Sequence, residues 1–339
     1  MTQRRIATEE AFATPEQIAA YRLLGESGWH DPDVLFWKAV LGGAFQDIVT
    51  NLLDIGEGRI AAMDRHGIDV QLLSLTSPGV QIFSPERGSD LARASNDLLA
   101  EAIARHPTRF AGLATIAPQD AAGAVREMER AMGALSLNGV VINSHTNGQY
   151  LDDPAFWPIL EAAEALDAPI YIHPRSLPAL SAAPYDTHNL NGGIWGYAAE
   201  TGLHAMRLIM SGIFARFPGL KIVLGHLGEG LPWWLYRIDY MYGLQSRRIP
   251  RGSNLLPSDY VRRNIWITTS GMNDEAAVRF CLSKLGPERV LWAVDYPYQE
   301  AGEAVSFLDA MDMPPEDKAA IFAGNAERLF NIPPKESIA

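Results

Sequence analysis

The sequence predicts an α/β protein, a single-domain (β/α)8 barrel distorted by a cap after its first strand and a long loop after its fifth. Three observations predict it. Eight apolar runs of strand length recur along the 339 residues. Segments with helical spacing fill the gaps between them. The runs are also apolar nearly throughout, as in parallel strands buried on both faces, rather than alternating. Strands and helices in strict alternation favour a closed barrel. An open doubly wound sheet is the alternative. Against it, no G-x-G-x-x-G follows the first strand and no G-x-x-x-x-G-K-[ST] occurs.

The first strand is Arg5–Ala11, the second Val70–Leu75, the third Phe110–Ile116 and the fourth Gly139–Asn143. The fifth is Pro169–His173, the sixth Lys221–His226, the seventh Ile265–Thr269 and the eighth Val290–Asp295. Helices are expected over Ser89–Arg105, Asp120–Met132, Pro154–Leu166, Glu200–Phe217 and Asn273–Leu285, with Asp120 as an N-cap. The stretch from Ala13 to Asp54 is too long for a tight βα loop. It carries Tyr21, Trp29, Phe36, Trp37 and Phe45 and reads as a partly helical cap. Leu177–Ala198 is the second insertion, with Tyr185, His188, Trp195 and Tyr197. One domain spanning 1–339, with insertions at about 13–54 and 177–198, is the expected organisation.

Composition narrows the function. There are 28 basic and 40 acidic residues, a net charge of −12. That disfavours nucleic acid and anionic membranes as partners. One cysteine cannot form an internal disulfide, so a reducing cytoplasm is expected. No secretory signal is expected either: Ala7-Thr8-Glu9-Glu10 stands where an apolar signal core would lie.

Ionisable residues stand at the carboxyl ends of four strands: Glu9, His173, His226 and Asp295. A charge ending an apolar run is costly unless it is paired or binds a metal. Singly, each has an ordinary reading as a surface, capping or turn residue. Together, at the barrel end where loops share one mouth, they resemble a divalent-metal site. Carboxylates with imidazole suit Mn2+ or Zn2+, and three protein ligands leave open positions. Other residues are weaker candidates. His66 and His106 lie at helix ends, and His204 reads as a buried helical residue. His145 and His188 are loop residues expected near the mouth. Cys281 reads as packing, and Ser270-Gly271 lacks a nucleophile elbow.

Five segments carry a family likeness. They are Ile6-Ala7-Thr8-Glu9-Glu10-Ala11-Phe12, Tyr171-Ile172-His173-Pro174, Gly225-His226-Leu227-Gly228-Glu229-Gly230-Leu231-Pro232, Thr269-Ser270-Gly271 and Asp295-Tyr296-Pro297-Tyr298. Over nearly its whole length the chain resembles the amidohydrolase superfamily, and within it the non-oxidative aromatic acid decarboxylases of γ-resorcylate and 5-carboxyvanillate type. The resemblance implies one Mn2+ or Zn2+ on Glu9, His173 and Asp295, with no organic cofactor. It implies that His226 and Glu229 sit beside the metal and hold substrate. It further implies a substrate-binding Arg237 that can reach a neighbouring subunit's site, a ring pocket lined by Tyr298, Trp195 and Tyr197, and a homodimer or homotetramer. Two departures stand out. Ala11 occupies the slot where relatives carry a further His ligand. The 5-carboxyvanillate type shares that alanine, but its cap-loop arginine has no counterpart around Gly42-Gly43-Ala44-Phe45.

The expected reaction is metal-assisted decarboxylation of a hydroxylated benzoic acid. Asp295 would protonate the ring carbon as CO2 leaves, and His226, oriented by Glu229, would hold the substrate oxygens. The alternatives are a metal-dependent hydrolase or hydratase acting on a lactone, amide or enol acid, and a silent binding protein on the same barrel.

Overall fold

A computed structural model describes residues 3–245 and 255–334. The strands are β1 (Ile6–Phe12), β2 (Val70–Leu75), β3 (Phe110–Gly112), β4 (Ala114–Thr115) and β5 (Val140–Asn143). They continue with β6 (Ile170–His173), β7 (Ile222–Leu224), β8 (Ile265–Thr268) and β9 (Val290–Leu291). All neighbouring pairs are parallel, in the order β1-β2-β3 and β4-β5-β6-β7-β8-β9.

The third expected strand is therefore two. The chain breaks at Leu113, whose N–H bonds Leu73 O at 2.8 Å while Ala114 N–H bonds Gly139 O at 2.8 Å. One stave thus serves both neighbours by changing partner midway. The last strand is shorter than expected, because its ladder ends at Leu291. Thr8 N–H bonds Trp292 O at 3.1 Å, which joins the last stave to the first. Eight staves thus ring a barrel, as the sequence predicts.

Two apolar layers follow from the strand period of two. Ile6, Val70, Leu72, Val141, Tyr171, Val223 and Leu291 pack inside the barrel, and Leu329 and Phe330 join them. Leu73, Val140, Ile142, Ile172, Leu224 and Ile267 pack outward, with apolar residues of the helices. Helices match most expected segments: Pro85–Arg105, Ala121–Gly133, Trp157–Ala165, Gly196–Met210 and Glu275–Leu285. Asp120 is the predicted N-cap, accepting from Gly123 N–H at 2.9 Å. The segment expected over Glu200–Phe217 divides at Gly212, which has φ +86°, and resumes as Ile213–Arg216.

After β1 come helices Pro15–Glu26, Pro32–Ala39 and Gln46–Leu53. Their inner faces form a third cluster of Ile18, Tyr21, Val34, Trp37 and Leu52 over Ala11. Asp33 ties this layer to the barrel. It accepts from Arg175 Nε at 2.8 Å, Arg175 Nη2 at 2.6 Å and Ser176 N–H at 3.1 Å. Among the described residues no helix is long and apolar enough to cross a membrane.

Candidate metal centre and cavity

The site begins with an irregularity in β1. Its pairing with β2 shifts register between Ala7 and Glu10. Ile6 faces the interior and Ala7 the outer layer, so plain alternation would send Glu10 inward. The extra residue reverses this, as a bulge does. Glu9 points inward, where Tyr171, Thr268 and Ser270 donate hydroxyls to its Oε2, Thr268 at 2.8 Å. Glu10 faces outward.

β6 supplies the next side chain. Tyr171 is interior, so His173, two residues on, is interior as well and stands nearer the mouth. The His173 Nδ1–H donates to Pro174 O at 2.8 Å. That fixes the tautomer and leaves the Nε2 lone pair facing Glu9 Oε1, 3.6 Å away. Asp295 enters from the segment after β9, at φ +75°. One ligand atom each from Glu9, His173 and Asp295 lie within 4.8 Å of one another. Glu9 Oε1 is buried and has no hydrogen-bond partner. A buried carboxylate oxygen left open beside an imidazole lone pair and a second carboxylate fits a divalent cation.

His226 completes the floor. Every residue from His226 to Gly230 has positive φ, between 49° and 75°. Such backbone costs a non-glycine residue roughly 1–2 kcal/mol. The turn is held by Gly228 N–H to Gly225 O at 2.7 Å and His226 N–H to Ser270 Oγ at 3.2 Å. Glycine is required at 225 for contact reasons: a Cβ there would lie 2.9 Å from Glu9 Oε1. The turn brings His226 Nδ1–H to Glu229 Oε1 at 2.8 Å and leaves Nε2 3.9 Å from Glu9 Oε1.

Electrostatics follow from this crowding. Burial alone would push the Glu9 carboxyl up, but His226, His173, Ser270 and Tyr171 together hold it below its ordinary value. Burial lowers His173. Burial also opposes charge on His226, yet Glu229, Glu9 and Asp295 raise it to about 10. Burial and the neighbouring Glu9 charge push Asp295 well up.

Above the floor opens a cavity of about 1130 Å³ with largely apolar walls. Tyr298, Trp195, Tyr197 and Arg237 all line it, together with His173, His226, Glu229 and Asp295. The cap contributes Asp33 and Phe36. Trp195 is well exposed, and Tyr298 OH pairs with Thr76 Oγ1 at 2.6 Å. Arg237 lies on the helix Leu231–Gln245 and faces the cavity of its own chain.

Two loop histidines stand apart. His145 is buried, held by Ser176 O at 3.0 Å and Gly148 N–H at 3.2 Å, and does not line the cavity. His188 is exposed and also absent from its wall. His204 is the buried helical residue expected, accepting Leu151 N–H at 3.1 Å. Cys281 is packed against Leu227 O. Sequence reasoning missed Tyr171, Thr268 and Ser270 as the cradle of Glu9. The available signal was strand spacing: Tyr171 stands two residues before His173 on β6, and Thr268 at the end of β8 stands two before Ser270.

A family model described as amidohydrolase matches residues 33–332. The chain belongs to the amidohydrolase family. This amidohydrolase is 35% identical over 338 residues to gamma-resorcylate decarboxylase of Polaromonas sp. (strain JS666), with 97% of this chain and 98% of that one covered. Its structure is similar to that of 5-carboxyvanillate decarboxylase from Sphingomonas paucimobilis, with TM-score 0.95, 47% identity, and coverage of 98% and 100%. It is also similar to 5-carboxyvanillate decarboxylase from Novosphingobium aromaticivorans in complex with manganese and 4-hydroxy-3-methoxy-5-nitrobenzoic acid. There the TM-score is 0.94 at 42% identity, over 97% of this chain and 96% of that one.

Proposed function

We propose that this amidohydrolase is a metal-dependent, non-oxidative decarboxylase of a hydroxylated aromatic carboxylic acid, a carbon–carbon lyase. The observation that carries the reading is the open, buried Glu9 Oε1, converging with His173 and Asp295 at the floor of a large apolar-walled cavity. The manganese held by the similar decarboxylase from Novosphingobium aromaticivorans supports it.

Glu9, His173 and Asp295 would hold one Mn2+ or Zn2+, with no organic cofactor. When bound, the cation would supply positive charge to offset that of the substrate's oxygens and help orient the ring. Asp295 moves the proton. It takes the phenolic proton as substrate binds and returns it to the ring carbon from which CO2 departs. His226 presents Nε2 to the substrate oxygens, because Glu229 occupies Nδ1. Tyr298, Trp195 and Tyr197 would enclose the ring and exclude water. Arg237 would hold a carboxylate at the cavity wall.

The whole chain is read as one catalytic barrel, with 13–54 and 177–198 as insertions, assembled as a homodimer or homotetramer. Its single buried cysteine supports a reducing cytoplasm. The test is a panel of hydroxybenzoic acids followed by CO2 release and ring absorbance, run in parallel in D2O and in 18O-labelled water. One deuterium on the former carboxyl-bearing carbon is expected. Labelled solvent oxygen in the product without CO2 would establish the hydrolase alternative instead.

A further inference from the structure

Glu10 follows Glu9 on β1 but faces the other way, fully buried and outside the cavity. Its Oε1 accepts from Val294 N–H at 3.0 Å and its Oε2 from Tyr296 N–H at 3.2 Å. Those two amides flank Asp295. We propose that Glu10 is the positioning residue of the site: its carboxylate grips the main chain on both sides of Asp295 and so sets where the Asp295 oxygens meet Glu9 and His173. The proposal rests on the metal reading above.

Three features carry it. First, β9 ends at Leu291, and beyond it the β1 main chain donates to this segment only at Trp292 O, from Thr8 N–H at 3.1 Å, and at Tyr296 O, from Ala11 N–H at 2.8 Å. Between those two main-chain bonds the Glu10 side chain takes the Val294 and Tyr296 amides. Second, Asp295 sits at φ +75°, a conformation an L-residue keeps where surrounding contacts over-determine it. Glu10 supplies two of those contacts. The other side is held by Tyr298 N–H and Gln299 N–H on Asp295 O, at 2.8 and 3.0 Å.

Third, the grip is itself braced. Gln71 Nε2 reaches Glu10 Oε2 at 3.4 Å, and Arg59 Nη1 reaches Gln71 Oε1 at 3.3 Å. Arg59 also donates to Ala11 O at 2.7 Å and lies over the Tyr296 ring at 4.9 Å. The bulge that turns Glu9 inward is what turns Glu10 outward. Two adjacent glutamates therefore serve one site, one from inside the barrel and one through the backbone of the neighbouring stave.

Glu10→Gln tests this. It keeps the size but replaces one acceptor oxygen with an NH2 group facing an amide donor. Glu10→Asp is the second variant; it keeps the carboxyl group and withdraws it by one methylene. Metal-stripped wild type and both variants are titrated with Mn2+ by calorimetry, with circular dichroism and Tm recorded alongside. Manganese affinity about 10–100-fold weaker in whichever variant folds, with the circular dichroism unchanged, is the expected result. Folded variants that bind Mn2+ as wild type does would overturn the positioning role and leave the metal reading standing. So would a lowered Tm with undiminished affinity, which is what a merely structural carboxylate gives. Wild type that binds no Mn2+ would instead overturn the metal reading and this proposal with it.

Discussion

His173 shows how much one side chain settles. Its Nδ1–H is committed to Pro174 O, so its remaining lone pair has one direction, toward Glu9 Oε1. His173→Ala is predicted to abolish stoichiometric Mn2+ binding and reduce turnover to background. Metal analysis of the dialysed protein, with a CO2 assay, checks it. His226 carries a second prediction, for metal-free protein. Its folded pKa of about 10 exceeds its ordinary 6.5, despite burial, because Glu229, Glu9 and Asp295 favour the cation. A raised folded value means stabilisation that is complete below about 6.5 and is lost as pH rises toward about 10. Urea titrations across that window are expected to show wild type losing stability relative to His226→Gln, with the gap between them closing as pH climbs.

At the scale of elements, the cap and the barrel meet through a buried ion pair. Asp33 lies in the first turn of Pro32–Ala39, whose N-cap is Asp31, and accepts two guanidinium N–H groups of Arg175 and the Ser176 amide. Both side chains are nearly inaccessible, at 4% and 3%. Removing one partner of such a pair strands the other charge. Asp33→Ala is predicted to cost roughly 3–5 kcal/mol of stability and to expose the cap to protease before the barrel. Denaturant unfolding and limited proteolysis read the two effects. The pair joins residues 142 positions apart, so no local pattern announces it. The split third stave has the same character. Phe110–Ile116 reads as one continuous apolar run, and its division at Leu113 arises because two neighbouring staves claim it.

For the whole molecule, the helix Leu231–Gln245 presents Trp233, Trp234, Tyr236 and Tyr240 to the surface, 54–82% exposed. Trp233 rests partly on Phe280, Trp234 borders the cavity and Tyr236 stacks on Tyr240. A contiguous aromatic face of this kind favours association. A dimer or larger assembly is predicted by light scattering at assay concentration, and Tyr236→Glu is predicted to shift it toward monomer. A wild-type monomer there would overturn the expectation.

By itself the sequence determined the barrel, because strand and helix periods are local properties written residue by residue. It also determined which polar residues end the strands, since Glu9, His173, His226 and Asp295 each interrupt or close an apolar run. Tertiary structure alone decided which way they point. The choice between Glu9 and Glu10 depends on a bulge against β2, and a bulge exists in the pairing of two strands rather than in either one. The hydroxyls around Glu9 and the grip of Glu10 on the Asp295 backbone were hidden for the same reason. They join β1 to residues 162 to 286 positions away, and contact at that separation is set by closure of the barrel.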